Sequence, residues 1–154
     1  MSDTAAAPRL RTKASVAVRS DLATWQKLNV VAFLTSGIAA AHPELGREVA
    51  RRLIWALNDE SATNGVYGIP ALGQIGRHAP SLVAPHVSAL ARMAWDQGLR
   101  LAILEALAEV ARSSPDLVAP ELSAIEPHVD ASQPGEDAAW QELKNAVEGD
   151  NTDE

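Results

Sequence analysis

The sequence predicts an all-α fold, a short stack of about three helical hairpins, on three observations. A phrase recurs: "RHAPSLVAP" (77 to 85) and "RSSPDLVAP" (112 to 120) are nearly the same nine residues. Within "LRLAILEALAEVARSS", Leu99, Ile103, Ala106, Leu107 and Val110 return at three- and four-residue steps, the stripe of a helix buried along one side. The composition is 47% hydrophobic but only 4% aromatic, with Ala and Leu dominant, which favours packed helices over sheets.

Residues 1–19 read as a basic tail or an orphan strand. Val16 and Val18 alternate as a strand would, but one strand cannot satisfy its own backbone amides, so a disordered segment is the other expectation. Ser20 or Asp21 then caps an apolar helix, whose amides lack partners in the first turn. The stretch "TKASVAVRSDLATWQKLNVVAFLTSGIAA" resembles the opening of a bacterial family of unknown function with a fold akin to type II peptidyl-tRNA hydrolases. The resemblance covers residues 13–45 and lays Lys13, Asp21 and Leu22 on the Lys and Asp-Leu of the strand-to-helix motif. The helix lacks the hydrolase's Gln and His at the expected steps, which argues against that activity.

From "HPEL" (42 to 45) onward the chain reads as repeats, with Pro43, Pro80 and Pro115 spaced 37 and 35 residues apart. The expected hairpins are 20–58, 66–95 and 99–130, within one helical domain of 20–149. Each Ala-Pro or Ser-Pro pair ends a first helix, because a residue before proline is pushed out of the helical region. Pro85 and Pro120 are then expected to start the second helices, since proline fits the first helical position, and Gly98 to break the chain before the third hairpin. Leu82 and Leu117 are expected to plug the space between paired helices. Gly73 and Gly76 sit within a helix at spacing wrong for a phosphate loop, so close helix packing accounts for them. "ARRLIWALNDES", "GIPALGQIGRHAPSL" and "GLRLAILEALAEVARSSPDL" resemble HEAT-like repeats, particularly the short bacterial phycobilisome-lyase-type ones, over about residues 44–130. That resemblance implies a short α-solenoid used as a binding scaffold.

A final helix, 136–148, begins with acids suited to a helix N-terminus and ends at Gly149, closing the stack before an acidic tail, 150–154. The ends differ in sign: residues 1–20 carry a net +3, residues 134–154 a net −6, and the whole chain −7. Both nucleic acid and anionic membrane demand clustered Lys and Arg, so neither is expected as a partner. No apolar run is long enough to span a bilayer and no secretory signal is visible, which with the absence of cysteine predicts a cytoplasmic protein without disulfides or thiolate sites.

No chemistry-bearing motif appears. His42, His78, His86 and His128 lie at turns without a metal-ligand spacing, and no Gly-x-Ser-x-Gly elbow occurs. The expectation is a non-enzymatic protein-binding scaffold without cofactor or metal; the alternatives are a hydrolase-like or small-molecule role for the N-terminal segment, or a gene fusion without a dedicated function. Partner contact is placed on the polar loop "NDESATNG", at Asn58, Asp59, Glu60, Ser61 and Asn64, because loops on one side of a repeat stack carry binding. Trp25 and Trp140 are the aromatic anchor candidates, with core packing as the ordinary role for them and for Trp55 and Trp95. The paired acids Glu136-Asp137 and Asp153-Glu154 are expected to be solvated.

Overall fold

The computed structural model describes residue 37, residues 41–57 and residues 68–149. Its helices are α1 (Pro43–Leu57), α2 (Gly68–His78), α3 (Pro80–Val83), α4 (Val87–Arg92), α5 (Gln97–Ser113), α6 (Pro115–Val118), α7 (Leu122–Ile125) and α8 (Glu136–Glu148). Short 3-10 turns at Ala84–His86, Met93–Trp95, Ala119–Glu121 and Glu126–His128 join the smaller pieces. The protein is all-α among the described residues, which include no strand. The expected orphan strand or disordered segment of 1–19 and the acidic tail 150–154 lie outside them.

The recurring phrase is a recurring backbone. The amides of Leu45, Leu82 and Leu117 donate to the carbonyls of His42, Ala79 and Ser114 at 3.1, 3.0 and 3.2 Å. In each case the intervening proline opens a helix, where its missing amide costs nothing. The residue before it is extended, at φ −144°, ψ 70° for Ala79 and φ −149°, ψ 77° for Ser114, as the proline ring requires. "HPEL" is thus the first of three copies of one joint.

The second helices start at Pro80 and Pro115, which corrects the expectation for Pro85 and Pro120. Those two sit inside the 3-10 turns Ala84–His86 and Ala119–Glu121. A proline inside a helix lacks the amide for the i→i−4 bond and its ring meets a carbonyl one turn back, so the α-helix is interrupted there. The first copy proves the cause by contrast. Glu48 holds the position corresponding to Pro85, and α1 runs unbroken for 15 residues. A second correction concerns Gly98: the chain turns at Asp96, whose Oδ1 accepts the Gly98 amide at 2.9 Å, and Gly98 lies in the first turn of α5. Such a cap stabilises a helix by about 1 kcal/mol.

α2, α5 and α8 run parallel. Gly73 and Gly76 of α2 meet Ala106 and Val110 of α5 in the same order along both chains, and Arg100 and Arg112 of α5 reach Glu136 and Glu142 of α8 likewise. Parallel neighbours need return segments, supplied by residues 80–95 and 115–128, where α4 packs on α7. α1 packs on α2 and α3. The core between these layers is aliphatic: Ile69, Leu72, Ile75, Ile103, Leu104, Leu107, Val110, Val118, Ile125 and Leu143 are fully buried. Leu82 is buried as a plug should be, and Leu117 is half-buried against the same core.

The two glycines of α2 are there for close approach, as the spacing predicts. A Cβ on Gly73 would lie 2.8 Å from the Ala106 Cα, and one on Gly76 would lie 2.5 Å from the Val110 Cγ2. At the far side α8 exposes Asp137, Gln141 and Asn145, and Gly149, φ 75°, follows its last turn. Among the described residues, no helix is long and apolar enough to cross a membrane.

Candidate partner-binding groove

Three parallel helices side by side leave furrows between them, and one is open to solvent. Pro70 and Gln74 of α2, Ala102, Glu105, Ala106 and Glu109 of α5, and Glu142 of α8 line a groove of about 310 Å³. The α5 residues fall at three- and four-residue steps, so one stripe of that helix forms the floor. Beyond Arg112 a second depression, shared with Asn145, Ala146 and Gly149, continues along α8.

Charge along the groove is graded. Arg77 Nη1 lies 2.8 Å from Glu109 Oε2. Arg112 reaches both Glu109 and Glu142, and the Ser113 hydroxyl donates to the Arg77 carbonyl. Arg77 and Arg112 are repeat equivalents, and each crosses to a glutamate on the next helix. Glu105 has no ion-pair partner among the described residues. Partial burial, then the nearby Glu142 carboxylate, push its pKa above the ordinary value. Glu105 is therefore the groove carboxylate without an ion pair among the described residues.

That shift has a measurable sign. A folded-state pKa raised above the unfolded value means that the folded chain holds the proton more tightly, so stability falls as pH rises from the ordinary 4.5 through the raised value. Glu105→Gln removes the repulsion and is expected to raise the urea midpoint at neutral pH. At about pH 3, where the carboxyl is protonated in both states, the two proteins should unfold at the same midpoint. A gain that persists unchanged at acid pH would show that charge is not its cause.

The most deeply buried polar contact lies on the opposite side of α5. Arg100 and Glu136 have side chains only 9% and 3% exposed, with Nη1 at 3.2 Å from both carboxylate oxygens. Arg100 also donates from Nε to the Ala94 carbonyl at 2.7 Å and from Nη2 to the Trp95 carbonyl at 3.2 Å, while Glu136 Oε2 accepts the Asp130 amide at 3.0 Å. Glu136 is thus not a solvated acid, because the turn at Gly135, φ 82°, aims it inward at the buried guanidinium. This pair is structural. It ties the end of one return segment to the start of α8.

The structure brings few of the sequence candidates together. Asn58, Asp59, Glu60, Ser61 and Asn64 lie outside the described residues, as does Trp25. Trp140 is 7% exposed within the core, with the Lys144 ammonium 5.5 Å from its ring centroid, so it takes the packing role rather than that of an open anchor. Trp55 and Trp95, expected in the core, are 65% and 66% exposed. The buried stripe of α1 is Gly46, Ala50 and Leu57, and Trp55 falls on the other side of that helix. Trp95 ends a 3-10 turn whose backbone, not its indole, is held by Arg100. His86 is pressed by burial toward a lower pKa. Among the described residues no three of His, Asp or Glu gather as a metal would require.

Residues 12–52 match the model of a family described as a protein of unknown function (DUF2000). No curated protein and no solved structure matches the chain. The match overlaps α1 as far as Arg52 and stops short of α2, so the groove lies wholly beyond it.

Sequence reasoning missed Glu105, Glu109 and Glu142. A signal existed. At the offset of 35, Glu105 replaces Pro70 and Glu109 replaces Gln74, so carboxylates enter the second copy at positions that are uncharged in the first.

Proposed function

We propose that this chain is a non-enzymatic protein-interaction scaffold, a short α-solenoid of HEAT-like hairpins working in the cytoplasm. Its partner is a protein segment bearing Lys or Arg, received along the outer layer of α2, α5 and α8. The observation that carries this reading is Glu105, a carboxylate without an ion pair among the described residues, in a groove whose other acids already have cations. A guanidinium or ammonium from a partner would relieve its repulsion with Glu142. Because the carboxylate is partly solvated, such a contact supplies orientation and association rate more than raw affinity. The net charge of −7 adds long-range attraction for a basic partner that weakens with salt.

The test is affinity capture from the source cell with three baits: wild type, Glu105→Lys, and an Asn58/Asp59/Glu60 triple-alanine variant. The expected result is a basic partner held by wild type and lost by Glu105→Lys, whose helical circular dichroism stays unchanged. Loss with the triple variant alone would move the site to the loop. Identical partner sets for all three would remove both sites, and peptidyl-tRNA hydrolysis by the purified chain, abolished by Asp21→Ala, would overturn the scaffold reading.

A further inference from the structure

We infer that the C-terminal end of α1 is a second binding site, in which Arg52 and Trp55 receive a short protein segment carrying one aspartate or glutamate beside an apolar side chain. Arg51, Arg52, Trp55 and Ala56 line an open depression of about 470 Å³. None of them borders the groove of α2, α5 and α8. Residues three and four apart share one side of a helix, so Trp55 stands one turn beyond both arginines and Ala56 one turn beyond Arg52. The indole is 65% exposed and the Arg52 side chain 76%. Packing of the hairpin does not account for the cluster. By the proline spacings of 37 and 35 residues, Ser88 and Ser123 hold the place of Arg51 in the later copies, and Ala89 and Ala124 that of Arg52. The arginines are thus an addition of the first copy, and none of the buried α1 positions, Gly46, Ala50 and Leu57, belongs to the cluster.

The charge of the patch fixes the class of occupant. Glu48 accepts two hydrogen bonds from Arg51, through Nε and Nη2, and one from Arg52, through Nε. Those bonds hold its carboxyl at a pKa of about 2, so it is ionised at neutral pH. Two guanidinium groups against one carboxylate leave one positive charge over. It falls to Arg52, whose Nη1 and Nη2 have no hydrogen bond among the described residues. Those two nitrogens form a planar fork that matches a carboxylate. Beside them the indole offers a rigid apolar face to a neighbouring side chain, and Trp with Arg is the pairing that concentrates binding energy at protein interfaces. The net charge of −7 opposes acids at long range. A segment with a single carboxylate therefore suits the patch, and a polyanion does not.

The test is selection of random short peptides displayed on phage against the immobilised full-length protein. The peptides retained are expected to share an aspartate or glutamate next to an aromatic or aliphatic residue. A synthetic peptide of that consensus should lose about tenfold in affinity with Trp55→Ala and with Arg52→Glu, both exposed positions at which the helical circular dichroism should not change. Arg52→Lys, which keeps the charge but not the fork, should weaken it less. Glu105→Lys should leave it unchanged, which separates this site from the groove. Failure to enrich any such peptide over a bare surface overturns the inference, as does a consensus peptide indifferent to Trp55→Ala. Tighter retention of oligodeoxythymidine than of the peptide would give the patch to a polyanion, and a dimer dissociated by Trp55→Ala in sedimentation would give it to a second copy. Either result overturns the inference too.

Discussion

Glu136→Leu should lower the unfolding free energy by about 3–5 kcal/mol, the cost of leaving a buried charge without its partner. For a chain of this size that corresponds to a fall of about 10 °C in Tm. Arg100 has little access to water when Glu136 is removed, because its side chain is 9% exposed, and it keeps only its bonds to the carbonyls of Ala94 and Trp95 and the weaker pull of the Asp130 carboxylate. Carbonyls stabilise a guanidinium less than a carboxylate does. The double variant Arg100→Met/Glu136→Leu should recover most of the loss, since an apolar pair of similar volume removes the desolvation problem. Glu136→Gln should fall between, because an amide oxygen can still accept from the Asp130 amide. Urea unfolding of the four proteins decides the matter. If Glu136→Leu costs under about 1 kcal/mol, the behaviour of an exposed pair, then the pair is not desolvated. The loss should also change little with salt, unlike that of the exposed Arg77 and Glu109 contact.

The contrast with α1 shows how burial, rather than pairing, sets the size of such effects. Glu48 is bonded by Arg51 and Arg52 at 2.8 Å each, and those hydrogen bonds hold its carboxyl at a pKa of about 2. All three groups are washed by solvent, so the pair adds little to the fold. The depressed pKa locates what contribution there is: present above the ordinary 4.5 and lost as pH falls toward about 2.

How far the sequence reveals the fold depends on whether a feature is local. The joint is legible because a proline dictates the backbone of its predecessor and of the turn after it, and three prolines at regular spacing dictate it three times. The glycines of α2 are legible because nothing else explains two of them within a helical stripe. Pro85 is misread because proline is compatible with both a helix start and a helix interruption, and only the hydrogen bond at Leu82 tells which proline opens the helix. Arg100 and Glu136 are invisible for a different reason. They stand 36 residues apart, and an acid at the head of a helix has an adequate local explanation in the helix dipole. The groove acids are of the same kind: Glu105 and Glu142 become neighbours only when α5 and α8 pack side by side. Trp95 fails on periodicity, because prolines and 3-10 turns break the stripe that would mark its side of the chain as buried or exposed.

Gly73→Ala and Gly76→Ala separate two kinds of crowding at the α2 and α5 contact. Alanine gains about 1 kcal/mol over glycine in a helix interior. Overpacking costs about 1–3 kcal/mol, so the sign depends on whether the neighbour can yield. At Gly73 the obstacle is the Ala106 Cα at 2.8 Å, which is backbone and cannot move without shifting α5 along its length. Crowding should win there, with a net loss of up to about 2 kcal/mol that Ala106→Gly does not repair, because the Cα remains. At Gly76 the obstacles are methyl groups, the Val110 Cγ2 at 2.5 Å and the Val83 Cγ2 at 2.8 Å. Valine is stiff at χ1 within a helix, so Gly76→Ala alone should also destabilise. Here the companion change Val110→Ala removes the nearer methyl, and the double variant should be more stable than the sum of the two single losses predicts. A double-mutant cycle by urea unfolding measures that coupling. Additivity at Gly76 together with rescue at Gly73 would reverse the assignment of backbone and side-chain contact, and with it the parallel register on which α2 and α5 are stacked.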